Sequence, residues 1–303
     1  MKKMAIIALV GLVSLLVITS GCVQNQDQNQ GENKITVQDD LGNNVTVTGE
    51  VERIVSAAPS NTEILFALGQ GPEIVGVTEY CDYPSEAKYK EKIGGFQNPS
   101  VEKIISMDPD VVFASTTTGE QTVEKLRNND IPVYVSSPGS ISGVIENINE
   151  IGKIVGAEDY AQNLTDDMEE RIEQITNKVS DQEEKDVFYL MSTYGGTWTA
   201  GENTFINQLI TKAGGNNIAS ELKGYKKISL STVIQKDPDL IITTEHCYTN
   251  LGELKNKTGW KELTAVQEGK LYTLEEDQLV RPGPRIIDGL AEVAKTIHPA
   301  AFE

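Results

Sequence analysis

Short runs of β-branched and aliphatic residues alternate along this chain with segments of helical periodicity. Ile35-Thr36-Val37 and Val45-Thr46-Val47 flank the polar stretch 39–44, which predicts a β-hairpin. Residues 53–57 predict a buried strand running into Pro59. Ser60-Asn61-Thr62-Glu63 then fits a capping box that opens a helix over 64–68, with Gly69 as its stop. Strands at 74–77, 111–114 and 133–135 and a helix over 120–128 continue the series, so a parallel sheet is the economical arrangement. The middle of the chain differs. Ile141, Val144, Ile145, Ile148, Ile151, Ile154 and Val155 keep helical spacing until Gly156 interrupts. Over 158–179, Leu164, Met168, Ile172 and Ile175 form one stripe with acids opposite, predicting a long amphipathic helix. A new α/β series begins at Val187.

One segment occurs twice. Ser106-Met107-Asp108-Pro109-Asp110-Val111-Val112-Phe113 returns as Gln235-Lys236-Asp237-Pro238-Asp239-Leu240-Ile241-Ile242. Each copy reads as a short helix stopped at an Asp-Pro-Asp turn and followed by a buried strand. Eight aligned positions with matching flanks favour duplication over a chance turn. The pattern therefore predicts an α/β fold: two α/β lobes with parallel-type sheets joined by one long rigid α-helix. The N-terminal lobe spans 34–140, the helical connection 141–179 with its interlobe helix at 158–179, and the C-terminal lobe 180–303. A rigid helix in that position restricts the relative motion of the halves.

The chain's beginning changes the picture of where it acts. Lys2 and Lys3 precede an apolar run over 4–18 and then Thr19-Ser20-Gly21-Cys22, which predicts an export signal over 1–22. Its Ser-Gly-Cys ending resembles a lipoprotein signal, although Thr19 departs from the usual pattern. That resemblance implies a lipid anchor at Cys22 and a protein exported and held at the outer face of the cytoplasmic membrane. Residues 23–33 are polar and predict a disordered tether. About 270 residues remain, enough for two cores. The formal charge of −19 argues against nucleic-acid binding. Beyond Cys22 there are only Cys81 and Cys247, which exclude a structural zinc site by count but are candidates to pair in an exported chain.

In open parallel sheets ligands bind beyond the carboxyl ends of the strands. The loops at 58–61, 79–84, 94–98, 115–119, 193–199, 243–249 and 278–285 are therefore the candidates. They carry Tyr80, Tyr83, Phe96, Tyr194, Trp198 and Tyr248, a set suited to a flat, partly apolar ligand. Catalytic signatures are absent: no Gly-x-Ser-x-Gly, no His-Glu-x-x-His and no phosphate loop. With only His246 and His298, an acid–base relay or a metal-ion site has little material.

Four segments together resemble a known family. They are Arg53-Ile54-Val55-Ser56-Ala57-Ala58-Pro59-Ser60-Asn61-Thr62-Glu63-Ile64-Leu65-Phe66-Ala67-Leu68-Gly69, Gly76-Val77-Thr78-Glu79-Tyr80-Cys81-Asp82-Tyr83-Pro84, Trp198-Thr199-Ala200-Gly201-Glu202-Asn203 and Arg281-Pro282-Gly283-Pro284-Arg285-Ile286-Ile287. In matching order these are similar to helical-backbone (class III) solute-binding proteins of ATP-driven importers. The Tyr-x-Asp-Tyr-Pro loop looks most like the cobalamin-binding members. The resemblance implies a non-enzyme that captures a corrinoid between its lobes, as transported ligand and not as cofactor, and delivers it to an ATP-binding-cassette permease. It implies ligand contacts at Tyr80 (on the corrin face), Tyr83, Phe96, Trp198 and Tyr225, and it implies permease docking through Glu102. The internal repeat maps Glu102 onto Ser231, so the second lobe lacks the matching acid. A Cys81–Cys247 disulfide across the cleft mouth and an imidazole from His246 to cobalt stay open, as does a surface role for His246. A monomer is expected. A ferric siderophore or haem is the alternative ligand, for which Arg281 and Arg285 are the available cations.

Overall fold

In the computed structural model, residues 34–303 are described apart from 246, 248 and 249. The readings at Cys22, the export signal, the tether, His246 and Tyr248 lie outside the described residues.

The first described strands, β1 (Lys34–Gln38) and β2 (Asn44–Thr48), form the expected antiparallel hairpin. Ile35 lies opposite Val47, and Val37 opposite Val45. The first lobe then alternates strand and helix: β3 (Ile54–Ser56), α1 (Pro59–Ala67), β4 (Ile74–Val77), α2 (Val101–Ser106), β5 (Val111–Ser115), α3 (Glu120–Arg127) and β6 (Val133–Ser136). Its sheet is parallel, in the order β4-β3-β5-β6. Two helices follow, α4 (Ile141–Ile154) and the 22-residue α5 (Glu158–Val179), which bury the apolar stripes their spacing predicts.

The second lobe contains β7 (Lys185–Tyr189), β8 (Thr197–Ala200), α6 (Phe205–Lys212), β9 (Gly215–Asn217), β10 (Tyr225–Ile228), α7 (Leu230–Lys236) and β11 (Leu240–Thr244). It continues through α8 (Leu251–Leu254), α9 (Thr264–Glu268), β12 (Leu271–Leu274), α10 (Glu276–Val280) and α11 (Ile286–Ile297). The parallel sheet β9-β7-β11-β12 has the same order of first, second, third and fourth strand as the first lobe's sheet. Strands β8 and β10 pair antiparallel as a separate ribbon.

The repeated segment occupies equivalent places in both lobes. Asp108 and Asp237 both adopt left-handed backbone, with φ of 47° and 38°. The second aspartate of each copy ties the turn to the first strand of its lobe. Asp110 accepts the N–H groups of Glu52 and Arg53 at 2.8 Å each, and Asp239 accepts that of Asp186 at 2.7 Å. Ser100 and Ser229 cap the preceding helices, α2 and α7.

Strand alternation divides the core. Ile54, Val111 and Phe113 face inward, into an apolar cluster that continues through α1, α4, α5 and α11 to Val187, Tyr189, Leu240 and Ile242 of the second sheet. The opposite faces close separate clusters, one around Val55, Val112 and Ala114 and one around Phe188, Ile241 and Trp260. The lobes thus share one buried seam in addition to a connecting helix.

Two local expectations are corrected. No capping box forms at Ser60: α1 begins at Pro59, with Ala58 as an N-cap that offers no side-chain bond. Ser60, Asn61, Thr62 and Glu63 are buried inside the helix, and three of them bond elsewhere, Thr62 to Ser56, Asn61 to the Ala114 carbonyl and Glu63 to Arg285. Residues 197–199, expected in a loop, form β8, because β10 supplies the partner strand.

Candidate functional site

The carboxyl ends of β3, β4 and β5 carry the first wall of a candidate cleft. The chain leaves β4 through a turn closed by the Cys81 N–H on the Thr78 carbonyl, and the Glu79 N–H bonds the Gly94 carbonyl. These bonds bring the loops after β4 and around Gly94 side by side. Tyr80 and Phe96 consequently meet edge to face, with ring centroids 5.1 Å apart. Tyr80 keeps 55% of its surface exposed.

The second wall is the β8–β10 ribbon. A tight hairpin, closed by Met191 N–H to the Trp198 carbonyl and Trp198 N–H to the Ser192 carbonyl, leads from the end of β7 into β8. In the register Trp198 lies opposite Lys227 and Ala200 opposite Tyr225. Side chains two apart share a strand face, so Trp198 and Tyr225 occupy the same face of the ribbon as a diagonal pair. The Lys227 ammonium lies 5.1 Å from the Trp198 ring centroid. Burial pushes the Tyr225 phenol above its ordinary range, and the Glu276 carboxylate adds to the shift. Tyr189, beside it, is raised by burial and by the same carboxylate despite a bond with Thr244.

Where the lobes meet, an ionic network closes the floor. Arg285, the N-cap residue of α11, gives Glu63 two bonds, Nε to Oε2 at 2.9 Å and an Nη to Oε1 at 2.8 Å, and reaches Glu275 at 3.0 Å. Arg281 bonds Glu63 at 3.2 Å, Asp82 at 2.9 Å and Asp277 at 2.7 Å. Tyr83 stacks on the Arg285 guanidinium at 4.0 Å. Burial opposes the charge of Asp82, but its bond to Arg281 prevails and holds the carboxyl below the usual range. At Asp277 burial prevails over the attraction of Arg281, and the carboxyl lies above that range.

The predicted residues therefore do not all come together. Tyr80 with Phe96, and Trp198 with Tyr225, form the two aromatic surfaces. Arg281 is bonded to three carboxylates, Glu63, Asp82 and Asp277. Tyr83 is the stacking partner of Arg285. It lines a separate cavity of about 730 Å³ that also includes Phe66, Leu164 and Met168 and none of the other four aromatics. The suggested disulfide is corrected. Cys81 and Cys247 are both free, Cys81 being buried under the hydroxyls of Thr62 and Thr78 at 3.1 Å each. Glu102 stands exposed in the first turn of α2, and Ser231 is exposed at the equivalent position of α7. Sequence reasoning missed Glu63, Asp82, Glu275 and Asp277. The single signal was an acid at Glu63 directly before the apolar run Ile64–Ala67.

Residues 54–278 match the model of the family described as periplasmic binding protein. An uncharacterized ABC transporter substrate-binding lipoprotein, YvrC of Bacillus subtilis, is 34% identical over 306 residues, covering 96% of each chain. The vitamin B12-binding protein of Vibrio campbellii is 29% identical, over 82% of this chain and 90% of its own. Among solved structures, a possible iron-binding periplasmic solute-binding protein of Staphylococcus epidermidis is 31% identical with a TM-score of 0.75, over 82% of this chain and 99% of that one. The periplasmic haem-binding protein RhuT of Roseiflexus sp. RS-1 is 26% identical, also with a TM-score of 0.75, over 83% and 99%. With two lobes of one topology, an aromatic surface on each and a family match across both, this chain belongs to the periplasmic binding protein family and is a substrate-binding protein, not an enzyme.

Proposed function

We propose that this protein captures a corrinoid between its lobes and delivers it to an ATP-binding-cassette importer. The observation that carries the reading is the pairing of two aromatic surfaces with a floor whose arginines are neutralised. Tyr80 and Phe96 on one side and Trp198 and Tyr225 on the other suit the flat faces of a macrocycle. Arg281 and Arg285 are shared among Glu63, Asp82, Glu275 and Asp277, so the floor offers no spare positive charge to an anionic chelate. The name of the Vibrio relative supports the same ligand. The protein works as an exported monomer held by Cys22 at the outer face of the cytoplasmic membrane, in keeping with the lipoprotein name of the Bacillus relative. Glu102 meets a cation of the permease, and the second lobe docks without an acid at Ser231.

A second reading, a haem or ferric siderophore, has one observation in its favour. Lys227, exposed on the same face of the ribbon as Trp198 and Tyr225, and Lys223, exposed just before β10, can meet carboxylates. Calorimetric titration with cyanocobalamin, cobinamide and haem decides between the readings. One-to-one binding of either corrinoid, tighter than that of haem, establishes the first. Binding of haem alone establishes the second.

A further inference from the structure

We propose that Glu63 is the positioning residue of the cleft: it pins Arg281 and Arg285 of the second lobe to the first and so sets the separation of the two aromatic walls. The tie does not depend on which ligand is carried, and only the ligand readout below rests on the corrinoid reading.

Glu63 lies in the second turn of α1, in the first lobe, with 2% of its side chain exposed. It accepts three guanidinium N–H bonds, two of them from Arg285 as a planar fork. The arginines are oriented from their own lobe, Arg285 by Glu275 and Arg281 by Asp277. First-lobe groups flank them as well, the Tyr83 ring at Arg285 and Asp82 at Arg281. The loop between the arginines rests on α1: a Cβ at Gly283 would stand 3.5 Å from the Ser60 carbonyl oxygen and 3.6 Å from Glu63 Oε2. Separating the lobes here strands a buried carboxylate, which is far more costly than parting two solvated charges.

Position makes the tie consequential. The 730 Å³ cavity has Glu63, Tyr83 and Arg285 on one side and Leu164, Met168 and Arg171 of α5 on another. The tie lies at the edge of the shared apolar seam, where Asp288 of α11 also bonds Arg171 of α5. Apolar contacts along the seam are not directional, whereas the fork between Glu63 and Arg285 fixes geometry at the cleft end. Asp82 is two residues beyond Tyr80, so the network reaches the loop that carries the first aromatic wall.

The test uses full-length protein in detergent, with Cys22→Ser and Cys247→Ser, and spin labels at Glu102→Cys and Ser231→Cys. These equivalent exposed positions lie on opposite lobes, and Cys81 is too buried to label. The interlobe distance distribution, measured by pulsed electron resonance, is expected to broaden in Glu63→Gln and to narrow again in Glu63→Asp. Cobinamide dissociation is expected to accelerate about tenfold with association unchanged, the effect of one lost charged hydrogen bond. A folded Glu63→Gln with the wild-type distribution overturns the proposal. Should Glu63→Gln not fold, Asp82→Asn at the half-exposed end of the network must itself broaden the distribution, and an unchanged width there overturns it equally. Absence of cobinamide binding to the wild type would count against the corrinoid reading and leave the distances to judge the tie.

Discussion

Replacing Tyr80 by alanine isolates the first aromatic wall. The ring is 55% exposed in the free protein, so roughly half of an aromatic side chain, about 100 Å², is available for a ligand to cover. At about 25 cal/mol per Å² that surface contributes about 2.5 kcal/mol to binding, equivalent to an approximately 70-fold weaker Kd in Tyr80→Ala. The edge-to-face contact with Phe96 is lost in free and bound protein alike. It lowers folding stability by about 1 kcal/mol and leaves the binding difference intact. Tyr80→Phe keeps the ring and should bind within about threefold of wild type, because stacking uses the ring face and not the phenol oxygen. Tyr89, 90% exposed and outside the cleft, is the matched control, and Tyr89→Ala should not change Kd. Titration calorimetry with cobinamide measures all three. A Tyr80→Ala protein that is folded and binds within about threefold of wild type refutes the stacking surface.

Three further outcomes test other parts of the structure. Asp82 has a folded pKa below its unfolded value near 3.8. Its contribution is therefore complete above that value and is lost as pH falls through the folded pKa, while Asp277, shifted upward, has the opposite sign. The Tm loss in Asp82→Asn should be full at pH 7 and shrink as pH is lowered below 3.8 in scanning calorimetry, and a loss independent of pH would contradict the pairing with Arg281. A Cβ at Gly201 would collide with the Leu222 carbonyl oxygen at the base of the β8–β10 ribbon. Gly201→Ala should cost about 1–3 kcal/mol in urea unfolding and weaken ligand binding by displacing Trp198 and Tyr225. In a Cys22→Ser protein, maleimide should modify Cys247 in the native state and Cys81 only after denaturation. A denatured protein with no reactive thiol would restore the disulfide.

Much of the fold was legible because its signals are local. The strand and helix periods in the first lobe, the helix over 158–179 and the duplicated Asp-Pro-Asp turn each depend on residues within a few positions of one another. The turn could be read as a turn, but not as the device that joins Asp110 to Arg53 or Asp239 to Asp186, because those bonds cross more than fifty residues. The capping signature at Ser60–Glu63 misled because tertiary partners claimed the same side chains. Strand β10, Tyr-Lys-Lys-Ile, has no alternation that identifies it, and without it β8 reads as loop. The pairing of Glu63 with residues 218 and 222 positions away leaves no trace in local sequence. Arg281 looked free for that reason.

The duplicated lobes are alike in topology but not in the surfaces they present, and the difference bears on hand-off. Each lobe exposes the second residue of a serine-capped helix after the same kind of loop, Glu102 on α2 and Ser231 on α7. A permease that reads a negative charge at both positions meets it at one. A shared seam through α4, α5 and α11 holds the lobes at a common angle, so engagement of the first lobe fixes where the second lies. At the start of α7 the second lobe presents the hydroxyls of Ser229 and Ser231, 2.8 Å apart, in place of an acid. Ser231→Glu should accordingly strengthen docking only if the permease carries a cation opposite it. Measured against its own importer, a weaker interaction for that variant would place a negative or apolar partner there, and the asymmetry of the two lobes would be a matched feature of the complex.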